Sequence, residues 1–192
     1  GVGAQPLELF VANAGTAARF LAAMVCLGNG VYRLSGIDRM HQRPQGALFK
    51  SLRQLGYRVE SPNERLPVTI HGEGPRAGKC AVSISESSQF ASALLLSGTV
   101  GRWKIELEGE NSEESPYVSM TAELIRQFPY SGGPFGIEPD ASSASYIWGA
   151  DWLLKQSGSQ ISVPGWMKTS LQIDARFPHV INEFPKTISR HD

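Results

Sequence analysis

The sequence predicts an α/β fold assembled from three copies of one unit. Helix, strand and helix recur in that order along the 192 residues, and strand-like runs lie between the copies. The paired helices also keep a fixed offset of about 28 residues, measured from Gly15, Ser88 and Ser142 to Pro44, Pro116 and Thr169. The units run over about 7–72, 79–130 and 136–192 within one domain spanning 1–192.

In the first copy, Ala17, Phe20, Leu21, Met24 and Val25 fall on one helical face, and Gly28-Asn29-Gly30 stops the helix. A strand "VYRL" and a loop follow. Pro44 suits the first turn of a second helix whose inner face carries Leu48, Leu52 and Leu55 and whose stop is Gly56. The runs "LPVTIHG" and "CAVSIS" read as strands joined by the turn "GEGPRAGK". That turn misses the G-x-x-x-x-G-K spacing of a phosphate loop and has Cys80 where a magnesium-binding hydroxyl belongs.

The second copy is "SSQFASALLLSG", then "WKIELEG" with Trp103, Ile105 and Leu107 alternating against charges, then "SPYVSMTAELIRQF". The third is "DASSASYIWGADWLLK", "QISVPG" and "TSLQIDARFPHVINEF", preceded by an unusually short link, "PYSGGPFGIEP", that leaves little room for strands. The ending "KTISRHD" has no closing turn and reads as a cut.

A hydrophobic share of 41%, a charged share of 19% and a net charge of +0 are those of an ordinary globular protein and argue against broad nucleic-acid binding. No run reaches the roughly 20 apolar residues of a membrane span, and "GVGAQPLELF" lacks the form of a signal peptide, so a cytoplasmic protein is expected. Cys26 and Cys80 are far apart and read as buried free thiols. His41, His71, His179 and His191 are scattered, with no metal-ligand spacing, and neither metal nor cofactor is expected.

Chemistry concentrates at the three first-helix starts: Gly15-Thr16-Ala17, Ser87-Ser88-Gln89 and Ser142-Ser143-Ala144. Each offers amides at the positive end of a helix dipole and so suits a phosphate or carboxylate, although for any one start taken alone ordinary N-capping is the commoner account. Arg39 and Arg43 in "DRMHQRPQG" precede the Pro44 helix, where its dipole disfavours cations. They read as an anion clamp, with an Arg43–Asp38 ion pair as the competing account. Arg19 reads as a buttress, and Asp140 as an N-cap rather than a ligand.

Together, "NAGTAARF", "DRMHQRPQG", "SSQFASALL", "SPYVSMT" and "DASSASY" resemble the 5-enolpyruvylshikimate-3-phosphate synthase family, in the family's order and over nearly the whole chain. The resemblance implies one domain of a two-domain inside-out α/β barrel, its helices pointing inward to a cleft. It implies an enzyme that moves enolpyruvyl from phosphoenolpyruvate to shikimate 3-phosphate in aromatic amino-acid biosynthesis. Carried over, Gly15, Arg39 and Gln89 would bind phosphoenolpyruvate. Ser87, Ser88, Gln89 and Tyr117 would bind shikimate 3-phosphate, with Arg19, Arg43 and Asp140 in support.

The resemblance places the family's catalytic groups outside this chain, so no catalytic residue is expected within it. An inactive fragment whose partner is a missing second domain is the expectation. One departure stands out: Glu114 occupies the place of a phosphate-binding serine two residues before Pro116. Competing readings are the sister transferase acting on UDP-N-acetylglucosamine, a non-catalytic anion-binding module, and an RNA-end-processing relative of similar architecture.

Overall fold

The computed structural model describes residues 5–109, 113–155, 157–166 and 171–184, in two compact units, 1–125 and 126–192.

The first unit begins with β1 (Leu7–Phe10), α1 (Gly15–Met24), a 3₁₀ turn (Val25–Leu27) and β2 (Asn29–Ser35). Next come α2 (Asp38–Gln42), α3 (Gly46–Gln54), β3 (Arg58–Glu60) and β4 (Val68–Glu73). The strands form one sheet in the order β1-β2-β4-β3, with β1 and β2 parallel and the other pairings antiparallel. A second, two-stranded sheet pairs β5 (Gly78–Ser83) with β6 (Trp103–Glu108) in parallel. The connection between them is α4 (Ser88–Gly101), and α5 (Ser115–Gln127) follows.

Parallel neighbours need a crossover, and in both sheets the crossover is the helix that opens the copy. Consequently α1 and α4 both start beyond the carboxyl end of a parallel strand, where α/β folds gather their ligand sites. The two helices pack on each other. Their small residues allow it: Ala18, Ala22 and Ala23 of α1 and Ala91 and Ala93 of α4 are all buried.

Phe49, Leu48 and Leu52 of α3 close the core with Phe90 and Leu94 of α4, as the apolar spacing requires. Tyr57 meets Trp103 edge to face at 5.8 Å, and their polar ends reach the Gly74 and Arg76 carbonyls. Both cysteines are buried and free. Burial pushes their thiols up, Cys26 to about 12 and Cys80 to about 11, so neither is a nucleophile.

Three expectations need correction in this unit. The "DRMHQRP" loop contains the short helix α2, Pro44 precedes the Gln45 cap of α3 instead of opening its first turn, and β1 and β3 are strands that the apolar pattern does not announce.

The second unit contains α6 (Ala141–Lys155), a 3₁₀ turn (Ile173–Arg176) and α7 (Phe177–Asn182), both packed on α6. Trp148 and Trp166 stack edge to face at 4.7 Å. Here the third copy departs from the first two: "QISVPG" is not a strand, and no strand occurs among the described residues of 136–192. The helix expected over "TSLQIDARFPHVINEF" is the 3₁₀ turn and α7, with Pro178 in the first turn of α7; Thr169 and Ser170 lie outside the described residues. Alternation without a neighbouring strand to satisfy the backbone does not make a sheet.

Candidate functional site

The first turn of α1 lacks what helix starts normally have. Its N-cap is Ala14, no side chain caps it, and Ala18 is the first residue whose amide bonds back to the Ala14 carbonyl. The turn into it, 11–14, is pinned by Ala14 N–H to the Val11 carbonyl and holds Ala12 at φ 47, a left-handed conformation uncommon outside glycine. Because β1 and β2 are parallel, the next turn lies beside it, and Ile37 N–H donates to the Ala12 carbonyl at 3.0 Å. That bond seats α2 against the start of α1.

From there Arg43, in extended conformation at the end of α2, reaches back over Gly15 and donates to the Asn13 carbonyl at 3.5 Å. Arg19 approaches the same point from within α1. A Cβ placed on Gly15 would stand 2.4 Å from Arg19 Nη1 and 2.5 Å from Arg43 Nη1, so two guanidiniums converge over this residue and a side chain here would have to push them aside. No ion pair joins Arg43 to Asp38 among the described residues, which removes the competing account of Arg43.

Arg19 is only 3% exposed. Its Nη1 donates to Gln89 Oε1 at 3.0 Å, its guanidinium lies 5.3 Å from the Phe90 ring centre, and its Nε has no partner. Burial, and then the neighbouring Arg43 charge, bring the guanidinium down to about 10, against a smaller upward pull from Glu86. It remains charged at neutral pH. Two cations sharing one point, one of them desolvated, leave positive potential that an anion would neutralise.

Gln89 links this point to the start of α4, where Ser87 is the N-cap and its Oγ accepts from Gln89 N–H at 3.2 Å. Ser88, buried, donates its N–H to Glu114 Oε2 at 2.5 Å. Tyr117 is 37% exposed on α5, which is tied to α4 by the buried Ser92–Thr121 hydroxyl pair at 2.8 Å. Arg39 is exposed on α2 and makes no hydrogen bond or ion pair with the cluster among the described residues; the guanidiniums that meet at Gly15 are those of Arg19 and Arg43.

In the second unit, Asp140 caps α6 as the sequence predicts. Its Oδ1 accepts from Ser142 N–H at 3.1 Å and its Oδ2 from the Ser143 hydroxyl at 2.5 Å, which holds its carboxyl below the usual range. Gln172 Oε1 takes the Ala141 amide at 2.7 Å. A groove of about 660 Å³ opens beside this helix start, lined by Tyr146, Asp174, Arg176 and Phe177 among others. It is remote in sequence from the guanidinium pair, and its Ser142 hydroxyl is already bound by Asp174.

Among the described residues no three His, Cys, Asp or Glu side chains gather as metal ligands, and no helix is long and apolar enough to cross a membrane. What sequence reasoning missed is the Ser88–Glu114 bond and the meeting of Arg19 with Arg43.

The sequence profile of EPSP synthase (3-phosphoshikimate 1-carboxyvinyltransferase) matches residues 2–131. The 3-phosphoshikimate 1-carboxyvinyltransferase of Vibrio cholerae serotype O1 (strain M66-2) is 36% identical over 211 aligned positions, covering 98% of this chain and 49% of that protein. The enzyme of the same name from Sulfurovum sp. is 36% identical over 202, covering 93% and 46%. The first alignment is longer than the chain's own 192 residues, so the relative carries residues with no counterpart here. The EPSP synthase structure from Acinetobacter baumannii superposes with a TM-score of 0.53 at 21% identity, over 78% of this chain and 37% of that one, and supports the same fold. The chain spans about half the length of the curated relatives it matches, and it belongs to the EPSP synthase family.

Proposed function

We propose that this chain is the anion-binding part of an enzyme transferring enolpyruvyl from phosphoenolpyruvate to shikimate 3-phosphate, and that the uncapped start of α1 receives phosphoenolpyruvate. The observation that carries the reading is the convergence of Arg19 and Arg43 over Gly15, with Gln89 tied to Arg19. Planar guanidiniums and helix-start amides are the donors that phosphate and carboxylate oxygens take up best.

In this reading Gly15 N–H, Arg43 and Arg19 hold the phosphoenolpyruvate anion and Gln89 orients it. Arg39, exposed on α2, stays in the proposal as a further cation for the phosphate or carboxylate of phosphoenolpyruvate. Ser87, Ser88 and Tyr117 face the second substrate, and Asp140 caps its helix. The single-domain, three-unit organisation, a partner domain and a cytoplasmic location belong to the same proposal.

Guanidiniums and amides bind and polarise an anion, but the reaction also needs proton transfer to carbon and from a hydroxyl. The described residues of the cluster over Gly15 include no group suited to that, and in this proposal the chain by itself binds without turning over. Titration of the ¹⁵N-labelled chain with phosphoenolpyruvate tests the binding claim: the Gly15, Thr16 and Gln89 amides should shift together, and an unmoved Gly15 would remove the assignment. Phosphate released on adding both substrates would overturn the claim of inactivity. Binding of UDP-N-acetylglucosamine in place of shikimate 3-phosphate would change the acceptor.

A further inference from the structure

We infer that Glu114 is a built-in anion at the start of α4, which competes with a ligand phosphate for the Ser88 amide and so decides whether that seat takes a phosphate. The inference rests on the reading of the Arg19–Gln89 cluster as an anion site.

The first two amides of α4 both have acceptors inside the chain: Ser88 N–H on Glu114 Oε2 at 2.5 Å and Gln89 N–H on Ser87 Oγ at 3.2 Å. The Ser88 bond is charge-assisted and lies where the helix dipole contributes roughly half a positive charge, a combination that satisfies one anion and resists a second. Glu114 is held over it because it directly precedes α5, and the buried Ser92–Thr121 hydroxyl pair fastens α5 to α4.

The neighbouring groups point the same way. Glu86, two residues before Ser88, is a second carboxylate, and its charge reaches Arg19. Arg19 reaches Gln89 in the first turn of α4 through Nη1, and that same Nη1 meets Arg43 Nη1 over Gly15, so the two cations of the cluster converge on the Gly15 side. A phosphate arriving at Ser88 must displace Glu114 and then sit beside the displaced carboxylate, and both steps oppose it. One arriving over Gly15 meets neither obstacle. Glu114 thereby makes one cluster into two unequal seats: an open one at α1 and a self-occupied one at α4.

The test is an NMR titration of the full 192-residue chain with inorganic phosphate and, separately, shikimate 3-phosphate, following the Ser88 amide in wild type, E114Q and E114S. E114Q keeps the size and an acceptor while removing the charge; E114S removes the reach. Both variants should bind inorganic phosphate at Ser88 about tenfold or more tightly than wild type, while phosphoenolpyruvate shifts at Gly15 stay at wild-type concentrations. Equal phosphate affinity at Ser88 in all three proteins, or no shift of Ser88 in any, would overturn the inference. If inorganic phosphate tightens as expected but shikimate 3-phosphate binds none of them, the inference stands and the acceptor assignment of the proposed function falls.

Discussion

The starts of α1 and α4 follow equivalent parallel strands, pack side by side and are joined by one hydrogen bond from Arg19 to Gln89, yet they are provided for in opposite ways. At α1 there is no side-chain cap, and two guanidiniums hang over the first residue. At α4 a serine and a glutamate take the first two amides. In the second unit, the start of α6 is also self-satisfied, by Asp140 and Gln172. A helix start becomes a ligand seat when the chain withholds its own acceptors and brings cations close. Small or hydroxyl residues at the start are compatible with both outcomes.

The largest effects should come from the cations. Arg43→Ala should weaken phosphoenolpyruvate binding by about 10- to 100-fold, the worth of one or two charged hydrogen bonds, and calorimetry on the two proteins would show it. Removing one of two repelling cations should leave thermal stability unchanged or slightly raised. A marked fall in melting temperature would mean Arg43 is structural and would collapse the contrast between the two starts. Arg19→Met should abolish the same binding and also destabilise the fold, because the side chain is buried against Phe90.

Gly15→Ala comes next. The new methyl would meet only the far ends of flexible arginines, so the fold should hold within about 1 kcal/mol while the guanidiniums are pushed from their meeting point. A tenfold loss of affinity is expected, about 1.4 kcal/mol. Unchanged affinity would show that the pair over Gly15 is not the seat.

Much of this arrangement was legible in the sequence. The periodic faces of α1 and α3, the alternation of β6, and the small-residue starts of α1, α4 and α6 follow from composition and spacing alone. The short elements were not: β1 is a largely exposed four-residue strand, β3 has three residues and α2 five, too few for any period to declare itself. "QISVPG" shows the converse, a pattern with no partner strand among the described residues. In the candidate site, Gly15, Ser88 and Gln89 are the residues that motifs single out. Whether Arg39 or Arg43 meets Gly15 depends on where α2 ends, and the Ser88–Glu114 bond spans 26 residues. Both are facts of tertiary placement, and no local spacing encodes them.

The contrast can be sharpened by conversion. Ala14 already has the extended backbone of an N-cap, φ −79 and ψ 95, so Ala14→Asp should give α1 the acceptor it lacks. Stability should rise by about 0.5–1 kcal/mol, as for an ordinary cap, and phosphoenolpyruvate affinity should fall several-fold because the new carboxylate takes the ligand's place. Thermal melts and titration together check this. A stabilised variant with undiminished affinity would mean the α1 amides are not used by the ligand.

The smallest effect belongs to α6, where the cap can be titrated away. The Asp140 carboxyl lies below its ordinary value of 3.8, first through the Ser143 hydroxyl and then through the Ser142 and Ser143 amides. For a depressed acid, the stabilisation is fully present above the unfolded value and is lost as pH falls through the lower, folded one. Between neutral pH and about pH 5, therefore, hydrogen exchange at the first turn of α6 should be insensitive to this group once intrinsic rates are divided out, and protection should decline only below about pH 4. Asp140→Asn keeps an acceptor for Ser142 N–H but cannot titrate, so the acid-side decline should vanish in that variant while protection at neutral pH falls slightly. A decline that persists in Asp140→Asn would assign the acid sensitivity to another carboxylate; Asp174, on the Ser142 hydroxyl, is the nearest candidate.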